Sequence, residues 1–343
     1  MNYVKIYKGK NFQLKYRVND DRSSKPKKVI AFDMDETLGS FTDLEILWST
    51  IIELQYSNID KTTLYVTPDN LKLFNTFLDL YPEFLRYGIL HILKYIYQKK
   101  KSGDCSSVYI YTNNQRPNEW KRLILNYFNN KFNDDSEIQL FDQVICAFKI
   151  NNIPVEINRT SHSKTYDDFI SCTLLPASTE ICFIDNTYFH QMKNERVFYI
   201  QPLSYFHNLS SDEIINRFLT SDISKQITHR YENVEQYLKD VYIRKNYYNR
   251  HVINDDYLIK KYKNDILVAK KLMYHLKDFF YYSKKKNITR KNRIMLSRFT
   301  RKRSSSTDKK SPVSSNSELP SPLSSPRSDS SPFASTNSFF VPF

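Results

Sequence analysis

The stretch that most constrains the fold is residues 29–41, Val-Ile-Ala-Phe-Asp-Met-Asp-Glu-Thr-Leu-Gly-Ser-Phe. Its first four residues form an apolar run with the length of a buried strand, and the run ends at two carboxylates, Asp33 and Asp35. Residues at i and i+2 of a strand share a face, and open α/β sheets place their ligands at the carboxyl ends of strands. We therefore expect a reaction centre where this strand ends, although Asp and Thr are also ordinary turn residues.

The spacing of Asp33 and Asp35 also predicts the chemistry of this centre. Two carboxylates a few ångströms apart repel each other unless a cation or a shared proton relieves the repulsion. Mg²⁺ prefers oxygen ligands and would supply that relief, so Mg²⁺ is the predicted cofactor. With the cation bound, one carboxylate can act as a nucleophile while the other acts as an acid and a base.

The segment Phe-Asp-Met-Asp-Glu-Thr-Leu, residues 32–38, resembles the first motif of the haloacid dehalogenase-like superfamily, the DxDxT phosphohydrolases. Its Asp-x-Asp-Glu-Thr-Leu form is most similar to the branch that includes the phosphatases of the RNA polymerase II carboxy-terminal domain. The resemblance covers roughly residues 29–219. It implies that Asp33 is a nucleophile that forms an aspartyl-phosphate, and that Asp35 protonates the leaving oxygen and then activates water.

A second candidate site lies at the end of the apolar run Val108–Tyr111, where Thr112 and Asn113 follow. A hydroxyl and adjacent backbone N–H groups at this position can hold a phosphate oxygen. Thr112 resembles the second motif of the superfamily, an apolar strand that closes with Thr or Ser. Asn113 is a candidate for assisting it, with a simple turn as the alternative.

A cation is expected to neutralise the bound phosphate, and the resemblance implies that Lys164 supplies it. Lys164 stands before a short acidic segment, about twenty residues ahead of the fourth motif. Lys149 and Arg159 are the alternatives. A solvated surface lysine is the plainest interpretation in a chain with 51 basic residues.

The fourth site is Asp185-Asn186, which follows the apolar run Ile181–Ile184. Their side-chain oxygens would add ligands for Mg²⁺ beside the first two carboxylates. Asp-Asn, where much of the superfamily has Asp-Asp, resembles the polymerase-tail phosphatases, although Thr187-Tyr188 stands where those usually have Ser-Pro. An asparagine-containing turn is the alternative.

Apolar runs alternate with helical patterns along the chain, which predicts a parallel α/β sheet. The expected fold class is α/β, a Rossmann-like parallel sheet with helices on both faces, as the resemblance also implies. Residues 1–222 are the expected catalytic domain, with an edge hairpin within residues 1–28. Residues 42–80 would form at most a small helical cap, and the open site that results favours a phosphoprotein substrate.

The C-terminal part of the chain divides into three segments. Residues 223–283 predict a helical extension, because apolar residues recur there at i+3 and i+4. Residues 284–303 hold ten Lys or Arg and no acid, which is typical of weak nucleic-acid or polyanion contact, of a nuclear address, or of a merely solvated segment. Residues 304–343 contain fifteen Ser and six Pro, a composition that predicts a disordered tail with candidate Ser-Pro phosphorylation sites.

The four cysteines are scattered without CxxC spacing, which indicates buried thiols in a reducing compartment. Met1 is followed by a polar, charged segment, and no apolar run approaches membrane-spanning length, so neither a signal peptide nor a membrane helix is expected. We therefore expect an intracellular protein, cytoplasmic or nuclear, that is neither secreted nor in contact with a membrane.

The sequence as a whole predicts a Mg²⁺-dependent phosphohydrolase, with a phosphoserine or phosphothreonine protein as the first choice of substrate. One alternative is a phosphatase of a small metabolite or nucleotide, whose partner would be a small phosphate ester. Another alternative is a binding protein of the same fold whose site is catalytically silent.

Overall fold

The computed structural model describes residues 3–13, 26–55, 67–133, 137–228, 233–245 and 255–303. The described residues form eight strands: β1 Val4–Lys8, β2 Lys28–Phe32, β3 Ser107–Tyr111, β4 Gln143–Ile145, β5 Lys149–Ile150, β6 Ile153–Pro154, β7 Glu180–Ile184 and β8 Val197–Pro202. They form nine α-helices: α1 Thr42–Gln55, α2 Pro68–Asp79, α3 Ile89–Lys101, α4 Asn118–Lys131, α5 Tyr166–Thr173, α6 Ser211–Leu219, α7 Asp222–Thr228, α8 Val234–Lys245 and α9 Asp255–Arg303.

Six of these strands form one sheet in the order β1-β8-β7-β2-β3-β4. β8, β7, β2, β3 and β4 are parallel, and β1 pairs antiparallel with β8. The chain runs outward from β2 to β3 and β4 and then returns to β7 on the other side of β2. The strand order therefore reverses between β2 and β7, and the crevice outside the carboxyl ends at such a reversal is where open α/β sheets bind ligands.

The two faces of the sheet are buried in separate hydrophobic clusters. On β2, Ile30 and Phe32 belong to a large cluster together with residues of α1 to α4 and α6 to α9. Val29 and Ala31 point to the opposite face, where a smaller cluster includes Phe169 of α5. Because successive strand residues alternate between faces, a strand buried on both sides reads as the continuous apolar run seen in the sequence. The sheet therefore carries helices on both faces.

The α/β class and the mostly parallel sheet are confirmed, and the topology is compatible with a Rossmann-like fold. The expected strands and helices of residues 29–219 lie within a few residues of their predicted positions, since their periodicity is a local signal. Helix α6 begins at an N-cap, since the Ser210 side chain accepts a hydrogen bond from the backbone N–H of Glu213. Helices α1 and α2 occupy the region of the predicted cap and bury apolar side chains in the large cluster.

The N-terminal hairpin is not formed by the described residues. β1 pairs with β8, about 190 residues away in the chain, and residues 10–12 form a short 3₁₀ helix. The remainder of the predicted hairpin, residues 14–25, lies outside the described part of the chain. The edge strand is therefore placed by a distant partner, which turn composition does not predict.

Contacts divide the chain into a unit of residues 1–289 and a unit of residues 290–343. In the described part of residues 223–283, the predicted helical extension is present as α7, α8 and the first part of α9, and the backbone of the basic segment, residues 284–303, is helical as the last part of α9. The predicted disordered tail, residues 304–343, lies outside the described residues. Among the helices that are described, none is both long and apolar enough to cross a lipid bilayer.

Candidate active site

The carboxyl ends of β2 and β7 bring Asp33, Lys164 and Asp185 into direct contact. Lys164 Nζ donates to Asp33 Oδ1 at 2.5 Å and to Asp185 Oδ2 at 2.7 Å. The backbone N–H of Asp33 donates to the carbonyl of Ile184 at 2.8 Å, which extends the β2–β7 pairing by one residue. The side chains of Lys164 and Asp185 are almost fully buried, and that of Asp33 remains 11% exposed. Asp33 is therefore the member of this group that a substrate can reach.

Lys164 is held in place by the start of α5 and by aromatic rings. The next residue, Thr165, is the N-cap of α5 and accepts a hydrogen bond from the backbone N–H of Asp168. The ammonium lies 5.4 Å from the ring centre of Phe189 and 5.7 Å from that of Tyr111. Burial lowers the pKa of Lys164, but the Asp185 and Asp33 carboxylates outweigh burial, so the net pKa is raised. The lysine therefore stays charged between two carboxylates.

Asp35 lies beside this group and is held by the loop that follows β3. Asn114 Nδ2 donates to Asp35 Oδ2 at 2.7 Å, and the backbone N–H of Asn114 donates to the Thr112 hydroxyl at 3.0 Å. Burial raises the pKa of Asp35 to about 6, the Asn114 hydrogen bond opposes that rise, and the charge of Asp33 adds to it. A carboxyl group with a raised pKa can carry a proton near neutral pH, as a general acid must.

Thr112 and Asn113, the predicted phosphate-binding residues, lie at this same rim. Thr112 is 1% exposed, and its backbone N–H continues the β3–β4 pairing by donating to the carbonyl of Ile145. Its hydroxyl accepts from Asn114, a role that is compatible with donating its hydrogen to a phosphate oxygen. The Asn113 carboxamide oxygen instead accepts a 2.7 Å hydrogen bond from Arg159, which makes this side chain part of the surrounding loop structure.

Asn186 joins the β7 loop to the loop that follows β2. Thr37 Oγ1 donates to Asn186 Oδ1 at 2.8 Å and accepts from the Asn186 backbone N–H at 3.1 Å. The Asn186 carboxamide nitrogen donates to Glu36 Oε2 at 3.2 Å and to the Ser204 hydroxyl at 3.0 Å. Both the oxygen and the nitrogen of the Asn186 carboxamide, a predicted metal ligand, thus form hydrogen bonds to neighbouring loops. Thr37 thus links the two loops through its hydroxyl.

The two alternative cations occupy other positions. Arg159 is 2% exposed, and its guanidinium donates to the carbonyls of Thr112 at 3.1 Å and Cys146 at 2.8 Å. The Lys149 ammonium lies 4.9 Å from the ring centre of Phe148. Of the three candidate cations, Lys164 is the one that contacts Asp33. Arg159 supports the loops around it.

The carboxylates at this rim are the candidate ligands of the predicted Mg²⁺. In the described part of the chain, no group of three or more His, Cys, Asp or Glu side chains is arranged to hold a metal ion. Asp33 and Asp185 are bridged by the Lys164 ammonium instead. The donor chemistry nevertheless fits a hard divalent cation, because the carboxylates of Asp33, Asp35 and Asp185 lie near a single ammonium, and the charge of Asp33 adds to burial in raising the pKa of Asp185. A bound cation would relieve this excess of negative charge.

Comparisons with protein-family models, with curated proteins and with solved structures gave no match to the chain. The assignment of the site therefore depends on the contacts described above. Those contacts include functional candidates that motif reasoning missed, above all Asn114. Its signal was present in the sequence, because residues 112 and 114 are at i and i+2, and in extended backbone they share a face.

Proposed function

We propose that the chain is a phosphohydrolase that acts through an aspartyl-phosphate intermediate on Asp33. The observation that supports this proposal is the contact of Lys164 with both Asp33 and Asp185 at the carboxyl ends of neighbouring parallel strands, with Asp35 beside them. Phosphoryl transfer needs an in-line nucleophile, a cation at the equatorial oxygens and an acid for the leaving group. One residue of each kind is present at this rim of the sheet.

In the first step of this mechanism, the Asp33 oxygen Oδ2 attacks phosphorus while Lys164 holds Oδ1. The bond from phosphorus to the ester oxygen breaks, and that oxygen takes the proton of Asp35. In the second step, Asp35 removes a proton from a water molecule, the resulting hydroxide attacks the aspartyl-phosphate, and inorganic phosphate leaves. Asp33 is then a free carboxylate and Asp35 is protonated again, so the cycle closes.

Thr112 and Lys164 are positioned to bind the phosphoryl oxygens in both steps. Asp33, Asp35, Asp185 and Asn186 are the residues that would hold Mg²⁺, which when bound neutralises charge on the phosphoryl group. Asn186 would have to exchange one of its present hydrogen bonds to take part.

The substrate we propose is phosphoserine or phosphothreonine within a protein segment. Between β4 and Lys164, the regular structure of the chain is limited to the two-residue strands β5 and β6. The segment that follows β8 borders the site through the Ser204–Asn186 hydrogen bond, and it exposes Leu203 and Phe206, which are 44% and 53% accessible. Exposed apolar side chains beside a phosphate site suit contact with the residues that flank a phosphorylated side chain.

The test is a phosphatase screen with and without Mg²⁺, on wild type and on Asp33→Asn. We expect wild type to hydrolyse phosphoserine or phosphothreonine peptides with Mg²⁺ and to lose activity in EDTA. Asp33→Asn should reduce turnover by at least about 10³-fold, since the nucleophile is lost. Asp167→Asn, the same change at an exposed residue of α5, is the matched control and should retain full activity.

The same screen separates the rival functions. Turnover of sugar or nucleotide phosphates alone would contradict the protein substrate and favour a metabolite phosphatase. Absence of turnover in wild type on every phosphate ester would favour the silent binding protein. Activity that survives Asp33→Asn would remove Asp33 as the nucleophile.

A further inference from the structure

The loop that carries Asp35 has a backbone conformation that needs support. Glu36 has a φ of +58°, in the left-handed region that a residue with a side chain rarely adopts. Within the loop, the backbone N–H of Glu36 donates to the carbonyl of Gly39 at 2.6 Å, and that of Leu38 donates to Met34 at 2.9 Å. Conformations of this kind persist only where surrounding groups over-determine them.

Arg86 is the main support of this loop. It is 3% exposed, and its Nε donates to the carbonyl of Thr37 at 2.6 Å. One of its terminal nitrogens donates to the carbonyls of Glu36 and Leu203, and the Arg86 backbone N–H donates to the carbonyl of Leu38 at 3.0 Å. A single buried guanidinium therefore holds the Asp35 loop and the segment after β8 together.

The charge of Arg86 is balanced partly by a carboxylate of α9 and partly by carboxylates of the loop that follows β2. Among the ion pairs of the described residues, none joins Arg86 to a carboxylate within 4.0 Å. Burial lowers the pKa of Arg86 to about 10, and the first charge that opposes this effect is Asp265 of α9. Asp265 itself accepts a hydrogen bond from Lys261, one helical turn earlier, at 2.7 Å. Both residues are half-buried, so their charges are only partly screened by solvent.

Tyr205 is the second link between α9 and the loop. Its backbone N–H donates to the carbonyl of Glu36 at 3.0 Å, and its hydroxyl donates to the carbonyl of Glu83 at 2.8 Å. Its ring centre lies 5.5 Å from the Arg86 guanidinium carbon and 4.8 Å from the Lys261 ammonium. The same ring therefore contacts the cation that holds the loop and a cation of α9.

The approach of α9 to this turn is close. A Cβ built on Gly88, two residues after Arg86, would lie 3.0 Å from the Cβ of Ala269. The rings of Tyr87 and Tyr262 meet edge to face with their centres 5.5 Å apart. The α9 residues on this face recur at helical spacing, which makes the contact a continuous packed surface.

We propose that α9 is a positioning element of the active site, in which Lys261 and Asp265 fix Tyr205 and Arg86 and thereby the loop that carries Asp35. None of these residues touches the reacting atoms in the mechanism above. The expected effect of α9 on kcat rests on the proposed function. The ordering of residues 33–41 by α9 does not depend on that function. The C-terminal extension is accordingly part of the catalytic unit.

The test compares the full-length double variant Lys261→Gln/Asp265→Asn with the control Lys263→Gln/Asp256→Asn, whose residues are exposed on the same helix. Amide hydrogen exchange of residues 33–41 is measured without substrate, and kcat and KM are measured on a phosphopeptide. We expect the test variant to speed exchange by about tenfold and to lower kcat three- to tenfold with KM within twofold, while the control matches wild type. Unchanged exchange, or faster exchange with unchanged kcat, would overturn the proposal.

A second pair of variants separates positioning from general stability. Tyr205→Phe keeps the ring between Arg86 and Lys261, whereas Tyr205→Leu removes it. We expect Tyr205→Phe to retain the wild-type amide exchange rates of residues 33–41, and Tyr205→Leu to raise them to those of the double variant. Equal exchange rates in the two variants would contradict a role for the ring. If wild type proves to have no phosphatase activity, the proposed function fails, and the exchange measurements still decide whether α9 orders the loop.

Discussion

The loop after β2, residues 33–39, and the loop that leads to Lys164, residues 159–164, are both held by a buried arginine that donates to backbone carbonyls. Arg86 donates to the carbonyls of Glu36, Thr37 and Leu203. Arg159 donates to the carbonyls of Thr112, Cys146, His162 and Ser163. A buried carbonyl without a donor is costly, and a guanidinium has five donors in a fixed geometry. One arginine can therefore satisfy several turns of irregular backbone.

The two arginines differ in what stabilises them. The partners of Arg159 all lie within 50 residues of it in the chain, and its guanidinium carbon is 4.9 Å from the ring centre of Tyr111. The charge of Arg86 is balanced in part by Asp265, which belongs to the C-terminal helix, and in part by Glu36 and Asp33. The half of the site that is proposed to bind phosphate is thus supported by nearby chain segments, whereas the half that carries Asp33 and Asp35 is supported in part by a distant element. Changes in α9 should therefore reach one half of the site and leave the other unchanged.

The largest effect is expected from removing either guanidinium. Arg86→Met and Arg159→Met each leave several buried carbonyls without donors and should lower the free energy of unfolding by about 3 kcal/mol or more. Urea denaturation measures this loss, with the exposed Arg122→Met as the control. A loss below about 1 kcal/mol for one arginine would show that the two loops are not held in the same way.

The next largest effect is expected on kcat, and it should differ between two adjacent asparagines. Asn114 contacts Asp35, and Asn113 contacts Arg159. We expect Asn114→Ala to lower kcat about tenfold, because a misoriented general acid loses part of its 10²- to 10⁴-fold contribution. Asn113→Ala should change kcat by less than about twofold and act mainly on stability. Steady-state kinetics with both variants measures the difference, and identical kcat values would place both asparagines in the same role.

A smaller effect on catalysis is expected from the basic end of α9. Deleting residues 284–343 removes ten basic residues from the segment 284–303 but retains Lys261, which contacts the Tyr205 ring, and Asp265, whose charge acts on Arg86. Turnover should stay within about twofold of wild type, while salt-dependent binding to a nucleic-acid polyanion should weaken. Binding isotherms at two salt concentrations measure the second effect. Loss of turnover would show that the α9 residues before 284 are not sufficient to support the active site.

The smallest effect is expected on thermal stability, from protonation of His275 in α9 at low pH. Burial lowers the pKa of His275, with Asp278 opposing this effect and Lys8 and Lys271 adding to it. A depressed pKa in the folded state means that stability is lost as pH falls below the ordinary histidine value, because the unfolded chain binds the proton first. The melting temperature should therefore fall slightly more between pH 7 and pH 5 in wild type than in His275→Gln, by about 2 °C or less. Equal slopes would show that His275 does not contribute.

The sequence by itself determined the strands of the parallel sheet, most helix positions and three candidate sites at strand ends. Asp33, Thr112 and Asp185 each follow an apolar run, and parallel strands end at one rim of the sheet. The start of helix α6 is encoded locally, because Ser210 and Glu213 are three residues apart, the spacing of a capping box. Such signals are local, since they depend on the period of the backbone and on neighbouring side chains. These local signals can be identified in the sequence without knowledge of distant contacts.

Only the tertiary structure decided which cation meets Asp33, which strand pairs with β1 and what holds the Asp35 loop. Arg86 is 49 residues from Thr37 and 117 residues from Leu203, and neither separation leaves a pattern in the chain. Asp265 was one charged residue on an amphipathic helix until α9 was placed beside the turn at Arg86. Buried polar groups take whichever partners the packed fold brings to them, so supporting residues become identifiable only after the elements are assembled.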